Sequence, residues 1–466
     1  MADQSKPQPS GWSPVWDRRE FLKQAGIAAG SLAVGPALLE ACGGSSAGNG
    51  TSTTTATGTI PKARAGAKVQ LLQWVSFVPA ADDEFKRQAA EFSQANNVTV
   101  TIQTVSGDQL QPKTAASVES GSGPDIIQMQ YGWPHLYDTA ILDVTDFVNT
   151  LKSQLGTVNS VNDAFCKVGS KYLGIPYCQV PNAWSYRTDL WQQGGLTKFF
   201  TTWDELAAAG KALKSKSLAP IAVSLGHAYG DAITMWYPVL WDFGGREVSS
   251  DGKKVTINSK ETLAAVNWAI DTFKNQYISQ NTLSWLDPDN NQAYHSGLIT
   301  ATLNGASIYI KEVYKNDTNH KFAAVTDNAP MPKGPQGLET LNLIFNHAIM
   351  KWTQEADTCK AFLNYVMQPA NYTKWLNASV GYNAGPFSKL ASADIFTTDK
   401  KLKAFQDVVG TGKWPGWPAQ PSKATAQSQV QFVIVDMFAK ACTSGDAKTA
   451  IADAEQKLKR IYESAA

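Results

Sequence analysis

Cysteine is scarce in this chain, and so are the residue patterns that mark metal or phosphate chemistry. Five cysteines stand among 466 residues, none of them in C-x-x-C spacing, and the five histidines are scattered singly. Neither set has the ligand spacing of a zinc site, so no metal and no cofactor is expected. An H-E-x-x-H pair and a phosphate-binding P-loop are absent. Net charge is nearly absent too: 41 Lys and Arg against 40 Asp and Glu leave +1. Binding to a phosphate backbone needs a basic excess or stripe, so no nucleic-acid partner is expected. No internal repeat of solenoid period is found, and past residue 42 no apolar run is long enough to span a bilayer.

What is present is aromatic surface. Fifteen Trp and fifteen Tyr accompany a hydrophobic content of 43%, enough for large cores with rings left over for a binding site. The length suits two or three compact units.

The amino-terminal residues read as targeting. Asp17-Arg18-Arg19-Glu20-Phe21-Leu22-Lys23 is a twin-arginine export signal. A short apolar run, Ala25 to Leu39, leads to Leu39-Glu40-Ala41-Cys42-Gly43, where Cys42 is the expected site of lipidation. Residues 1–42 are therefore assigned to a lipoprotein signal. Residues 43–65 are mainly Gly, Ser, Thr and Ala, cannot bury enough surface to order themselves, and form a flexible tether. The expected location is the outer face of the cytoplasmic membrane, held by lipid.

The fold is expected to begin near Lys68. Val69 to Trp74 reads as a strand, and Asp82 and Asp83 as caps of a helix with Phe85, Ala89 and Phe92 on one face. Strands over 98–105 and 124–129 and helices over 109–120 and 138–151 follow. Such alternation predicts a parallel sheet with right-handed crossovers. Ligands of these sheets sit beyond the carboxyl ends of strands, which selects Trp74, and then Gln130, Tyr131 and Trp133. Further on, Thr202 and Glu205 have the spacing of a capping box. Residues 219–225 read as a strand whose following loop carries His227 and Tyr229. Trp236, Leu240 and Trp241 share a helix, and Ser259 caps another over 260–275. A strand over 341–350 carries Asn342 and Asn346, and the last helix runs over 446–462. Cys166 and Cys178 flank a hairpin turning near Gly169 to Lys171, which makes them the disulfide candidates in an exported protein.

The stretch from Ile175 to Leu206 carries the most specific signal. A short apolar strand with Pro176 and Pro181 is followed by Tyr186-Arg187-Thr188-Asp189 and, after a loop, by Thr202-Trp203-Asp204-Glu205-Leu206. This resembles the extracellular solute-binding proteins of ABC importers, in particular the carbohydrate-binding, maltose-binding-protein-like group, over residues 66–466. The resemblance implies an α/β, two-lobed periplasmic-binding-protein-like fold, each lobe a mostly parallel sheet flanked by helices, joined by hinge crossings. Lobe one would be 66–181 and 341–408, and lobe two 182–340 and 409–466. Asn304 lies in an Asn-Gly site-loop element of the family, Tyr382 and Asn383 in a loop that faces the cleft in relatives, and Trp414 and Trp417 where the chain returns to lobe two. Cys359 and Cys442 would fall in different lobes and are expected unpaired.

Chemistry agrees with a sugar ligand. A pyranose has apolar CH faces and a rim of hydroxyls; flat rings suit the faces and planar amides the rim. Trp184 and Trp236 join the aromatic candidates, and Asn182 and Asn346 the amides. The expected function is capture of a carbohydrate by hinge closure and its delivery to ABC permease membrane subunits by a non-enzymatic monomer. The alternatives are a secreted carbohydrate-active enzyme, which needs a paired set of carboxylates, or a binder of a polyol phosphate or a polyamine. A phosphate would want Arg in the cleft, with Arg187 and Arg246 the only mid-chain choices; a polyamine would want several carboxylates there.

Overall fold

The computed structural model describes residues 59–313, 321–390 and 392–465. The twin-arginine segment, Cys42 and the tether up to residue 58 lie outside the described residues. Eight strands carry two sheets: β1 (Lys68–Trp74), β2 (Thr99–Val105), β3 (Ile126–Gln130), β4 (Ile175–Val180), β5 (Ala183–Arg187), β6 (Ala301–Asn304), β7 (Thr326–Ala329) and β8 (Leu343–Ile349).

The first lobe is built on the order β2-β1-β3-β8-β4. β1 is parallel to β2 and β3, and β8 runs against both of its neighbours. β3, β4 and β8 are buried along their whole length, as strands of a sheet covered on both faces are, even at their polar positions Gln128, Gln130, Gln179, Asn346 and His347. β2 alternates exposed and half-buried residues and takes the edge. Helix α1 (Pro79–Asn96) covers one face, with Phe85, Ala89 and Phe92 buried; Phe85 and Phe92 meet Phe362 at 5.9 and 5.4 Å. Asp82 is not the cap of α1, which starts three residues earlier at Pro79; its carboxylate instead accepts from the Ser76 N–H at 2.9 Å.

The second lobe departs from a mostly parallel sheet. Its order is β6-β5-β7, and β5 pairs antiparallel with both neighbours. The expected strand over 219–225 reduces to Ile221, which makes single parallel bridges to Ile278 and Ala301. Pro220 has no N–H to extend the ladder, and Gly226 is packed against the backbone of Trp285. Helices supply the bulk of this lobe. Thr202 caps α2 (Trp203–Ser215) by accepting from the Glu205 N–H, while the Glu205 carboxylate reaches back to Thr201 rather than to Thr202. α3 (Asp231–Asp242) is buried at every position. Ser259 caps α4 (Lys260–Lys274) as expected.

Two further expectations need correcting. The helix read over 138–151 is a short turn at 138–140 and then a helix at Thr145–Leu155, because Ile141 bridges Met350 at the sheet edge and Asp143 accepts from the Thr145 N–H. The Cys166–Cys178 disulfide is not formed: all four described cysteines are free and buried. The hairpin between them pairs only Lys167–Val168 with Lys171–Tyr172. Cys178 lies beyond it on β4, facing Asn383, while Cys166 ends the helix Ser160–Cys166.

Three chain segments cross between the lobes, at 181–182, 340–342 and 409–413, and one side chain ties them. The Asn342 amide donates to Val408 O (2.7 Å), Thr411 O (3.3 Å) and Gln179 Oε1 (3.4 Å), and its carbonyl accepts from the Asn182 N–H (3.3 Å). The Lys413 N–H adds a bond to Thr340 O at 2.8 Å. Gly412, at φ +114°, lets the third crossing pass against that carbonyl. The described residues form one compact unit. Among the described residues no helix is long and apolar enough to cross a membrane.

Asn342→Ala is expected to destabilise the protein by about 2 kcal/mol or more in denaturant unfolding, since it removes the bonds that tie the second crossing to the first and third; a change within about 0.5 kcal/mol, the range of an ordinary surface substitution, would remove the hub role. A second prediction concerns pH. Glu247 is buried in lobe two, accepting from Ser428 Oγ (2.6 Å), the Gly416 N–H (2.6 Å) and Tyr237 Oη (3.4 Å). Burial pushes its carboxyl up to about 7 against these hydrogen bonds. The folded state therefore holds this proton more tightly than the unfolded chain does. The stabilisation is complete below the ordinary value of 4.5 and is lost as pH rises through about 7. The melting temperature of Glu247→Gln should fall less steeply across this window than that of the parent; parallel curves would contradict it.

Candidate functional site

The carboxyl ends of β1 and β3 converge on the second lobe. Tyr131, directly after β3, holds a left-handed backbone at φ +46°, a conformation uncommon away from glycine and worth a functional question. It is held from both sides. Its N–H donates to Ile344 O, and its carbonyl accepts from the Asn346 amide at 3.1 Å. The hydroxyl then crosses the lobe boundary and donates to Tyr229 O at 2.8 Å. Trp133 meets the Tyr229 ring edge-on at 5.9 Å. Behind Tyr229 lies Phe432, 4.7 Å away and itself left-handed at φ +52°.

Two carboxylates stand beside this contact. Asp231 opens α3 and Asp287 opens the helix Asp287–His295; they are 7% and 6% exposed. Asp287 Oδ1 accepts from the N–H groups of Gly230 (2.9 Å) and Asp231 (3.0 Å), while Asp231 Oδ2 has no hydrogen-bond partner. Burial, and for Asp231 also the neighbouring charge of Asp287, pushes both carboxyls upward. The same two charges, after burial, push up the hydroxyls of Tyr131 and Tyr382, so all four groups lie within electrostatic reach of one another. Fully buried Gln130 leaves both amide atoms unpartnered, and the Trp133 indole N–H is unpartnered as well. Among the described residues no group of three His, Cys, Asp or Glu is placed to hold a metal ion.

Trp74 borders two cavities. One of about 120 Å³ lies between the lobes, with Trp74, Phe77 and Gly107 on one side and His227, Leu286 and Asp287 on the other. The second, about 40 Å³, lies within lobe one beneath Trp74, with Gln73, Asp82, Gln128, Trp375, Tyr382 and Asn383 around it. Both are smaller than the roughly 300–1,000 Å³ usual for small-molecule sites. The lobes meet at this point through the Tyr131–Tyr229 bond and the Trp133–Tyr229 ring contact.

The sequence candidates separate accordingly. Trp74, Tyr382 and Asn383 share the lobe-one cavity, and Gln130, Tyr131, Trp133 and Tyr229 gather at the lobe contact. His227 sits at the cleft mouth, stacked on Phe432 at 4.4 Å and bonded to Asp436 at 2.8 Å. Asn182 lies at the first crossing, bonded to Asn342. Asn304 folds onto Asn290 (3.4 Å) and the Gly305 N–H (2.7 Å). Asn346 braces Tyr131 from within lobe one. Trp184 is fully buried against Phe200 (4.9 Å), and Trp236 is buried with its indole N–H on Ser224 O (2.8 Å). Trp414 donates to Ala419 O, and Trp417 carries Arg246 over its ring at 4.3 Å and meets Trp241. Trp241 is near the carboxyl end of α3, about 15 Å along the helix from Asp231.

Not legible in the sequence were Asp287 as a group of the inter-lobe cavity and Gln128, Asp82 and Trp375 as groups of the lobe-one cavity. Asp287-Pro288-Asp289 is an acidic helix start with proline at the second position, a signal that gives a helix end but not where it points. Gln128 sits two residues before Gln130 on β3, where period-two alternation puts both on one face.

A family model described as bacterial extracellular solute-binding protein matches residues 87–452. No curated protein matches the sequence. Solved structures share the fold at low identity. Maltose-bound T. maritima MalE3 is 18% identical, over 85% of this chain and 100% of its own, with a TM-score of 0.70. The GacH receptor of Streptomyces glaucescens, solved unliganded and with acarbose, is 16% identical over 86% and 99%, also at 0.70. A sugar transporter from Arthrobacter chlorophenolicus with bound laminaribiose is 17% identical over 84% and 99%, at 0.71.

Removing the Tyr131 hydroxyl tests the lobe contact. Tyr131→Phe keeps the ring and loses one inter-lobe hydrogen bond, worth about 1 kcal/mol. Small-angle scattering of the free protein should show a larger radius of gyration than the parent; an unchanged radius would mean that this bond does not hold the lobes together.

Proposed function

The chain belongs to the bacterial extracellular solute-binding proteins, and on that premise we propose that it captures a sugar or oligosaccharide between its lobes by hinge closure and delivers it to the permease subunits of an ABC importer. The observation that carries this reading is the cleft. Tyr131 and Trp133 meet Tyr229 across the lobe boundary, Trp74 borders the cavity between the lobes, and among the described residues buried polar atoms of Gln130, Trp133 and Asp231 have no partner. Stacking faces interleaved with unpaired donors and acceptors suit a molecule with apolar faces and a hydroxyl rim. Ligand contacts to both lobes stabilise the closed state, whereas contacts to one lobe would not favour closure. The T. maritima and Arthrobacter proteins hold maltose and laminaribiose in the same fold.

A phosphorylated ligand has no matching cation. Arg187 is paired with Asp189 through two bonds (2.8 and 2.6 Å) and lies over Phe322. Arg246 donates to the carbonyls of Trp241 and Gly245 at the far end of α3. The same reading has the chain exported by the twin-arginine route, anchored through Cys42 and monomeric, with residues 66–181 and 341–408 moving against 182–340 and 409–466.

Titration of the folded protein with a panel of mono- and oligosaccharides, followed by tryptophan fluorescence and calorimetry, tests this. Equimolar binding of at least one saccharide with no release of reducing ends is expected. Turnover of a glycoside, or strong binding confined to phosphorylated solutes, would contradict it.

A further inference from the structure

The polar chemistry of the cleft is one-sided. Asp231 and Asp287 are buried where the lobes meet, and neither is paired with a cation. Asp287 is satisfied by main-chain N–H groups of Gly230 and Asp231. Asp231 stands at the amino end of α3, where the helix dipole favours a negative charge, yet its Oδ2 is without a partner. Among the described residues no Lys or Arg lines either cavity bordered by Trp74. Of the described basic side chains His227 alone borders one of them, at the mouth, bonded to Asp436, which also takes Lys457. The charges acting on Asp231 come from Asp287 and Asp289, and the one acting on Asp287 comes from Asp108. The Tyr131 hydroxyl has committed its proton to Tyr229 O.

Burying two such carboxyls with no countercharge is costly unless they take up protons or receive a cation from outside. The surroundings fit the second course. Trp74 and Asp287 Oδ2 both pack against Gly107, and Tyr229 and Tyr382 lie within electrostatic reach of the carboxylates; aromatic rings attract a desolvated ammonium. A carboxylate oxygen without a donor is matched by an N⁺–H group, whose hydrogen bond to it is about twice as strong as one between neutral groups. Gln130, buried one residue before Tyr131 with both amide atoms free, and the free Trp133 N–H offer neutral contacts for hydroxyls beside that charge.

We propose that the ligand bears a cationic nitrogen placed on Asp231 and Asp287, so that the cleft selects an amino-substituted saccharide over its neutral counterpart; this rests on the saccharide reading above. Asp231 binds the ammonium directly through Oδ2, and Asp287 fixes the Gly230–Asp231 backbone that orients it.

The test uses matched ligands on the folded protein at pH 7: glucose and maltose- and cellobiose-type disaccharides, each beside its 2-amino form and N-acetylated form, with spermidine as an amine lacking a sugar ring. Calorimetry should give an amino form that binds at least about 10-fold more tightly than its hydroxyl and N-acetyl partners, the size of one charged hydrogen bond. Asp231→Asn should reduce that preference to less than about 3-fold. The parent's own preference decides the matter even if the variant does not fold. Equal or tighter binding of the neutral forms would overturn the proposal and leave the saccharide reading intact. Binding of spermidine with no saccharide bound would support the cation site and overturn the saccharide reading. No binding across the panel would overturn both.

Discussion

Asn342 is the point on which both lobes depend. It belongs to the second crossing, yet its amide holds Val408 and Thr411 of the third and its carbonyl holds Asn182 of the first. Gln179 adds to the same knot through Gly410 N and Asn342. Because the side chain is buried, its bonds form in a low dielectric, where leaving them unmade is expensive. The crossings are bound at one spot, and on the proposed hinge-closure reading this spot is the pivot.

Groups that repel or strain meet where the lobes touch. Asp231 and Asp287 share one buried corner, and Tyr131 and Phe432 both hold left-handed backbone there. Such features persist only where their surroundings impose them. Asn346 and Ile344 impose the geometry at Tyr131, and the stack of His227 and Tyr229 on Phe432 does so on the other side. A ligand that satisfies the unpaired atoms stabilises the closed arrangement at the place where it is least stable by itself.

Much of this was legible in the sequence, for local reasons. Thr202 and Ser259 announce their helices because a side-chain oxygen caps an N–H three residues on, wherever the helix ends up. β1, β2 and β3 follow from alternation, and the strand-end rule then leads to Trp74, Tyr131 and Trp133. What was not legible depends on contacts distant in sequence. Trp184 and Trp236 are as aromatic as Trp74, but Phe200 and Phe438 claim them for the core. The antiparallel pairing of β5 with β6 and β7 is a choice between partners that no single segment encodes. Cys166 and Cys178 look close along the chain, but the hairpin ends before the second of them. Asp287 reads as an ordinary helix start until Gly230 and Asp231 fold onto it from 56 residues away.

The account stands or falls on lobes that move about a fixed pivot and are held shut by a solute. Spin labels on Lys113→Cys in lobe one and Asn281→Cys in lobe two, both exposed positions, report the distance between lobes by pulsed electron resonance. The four described native cysteines are buried, and Cys42 is replaced by Ser for the measurement. The account predicts a broad distance distribution in the free protein that collapses to its shortest component when a saccharide binds at one equivalent. A single distance, unchanged when the bound site is saturated, would contradict it.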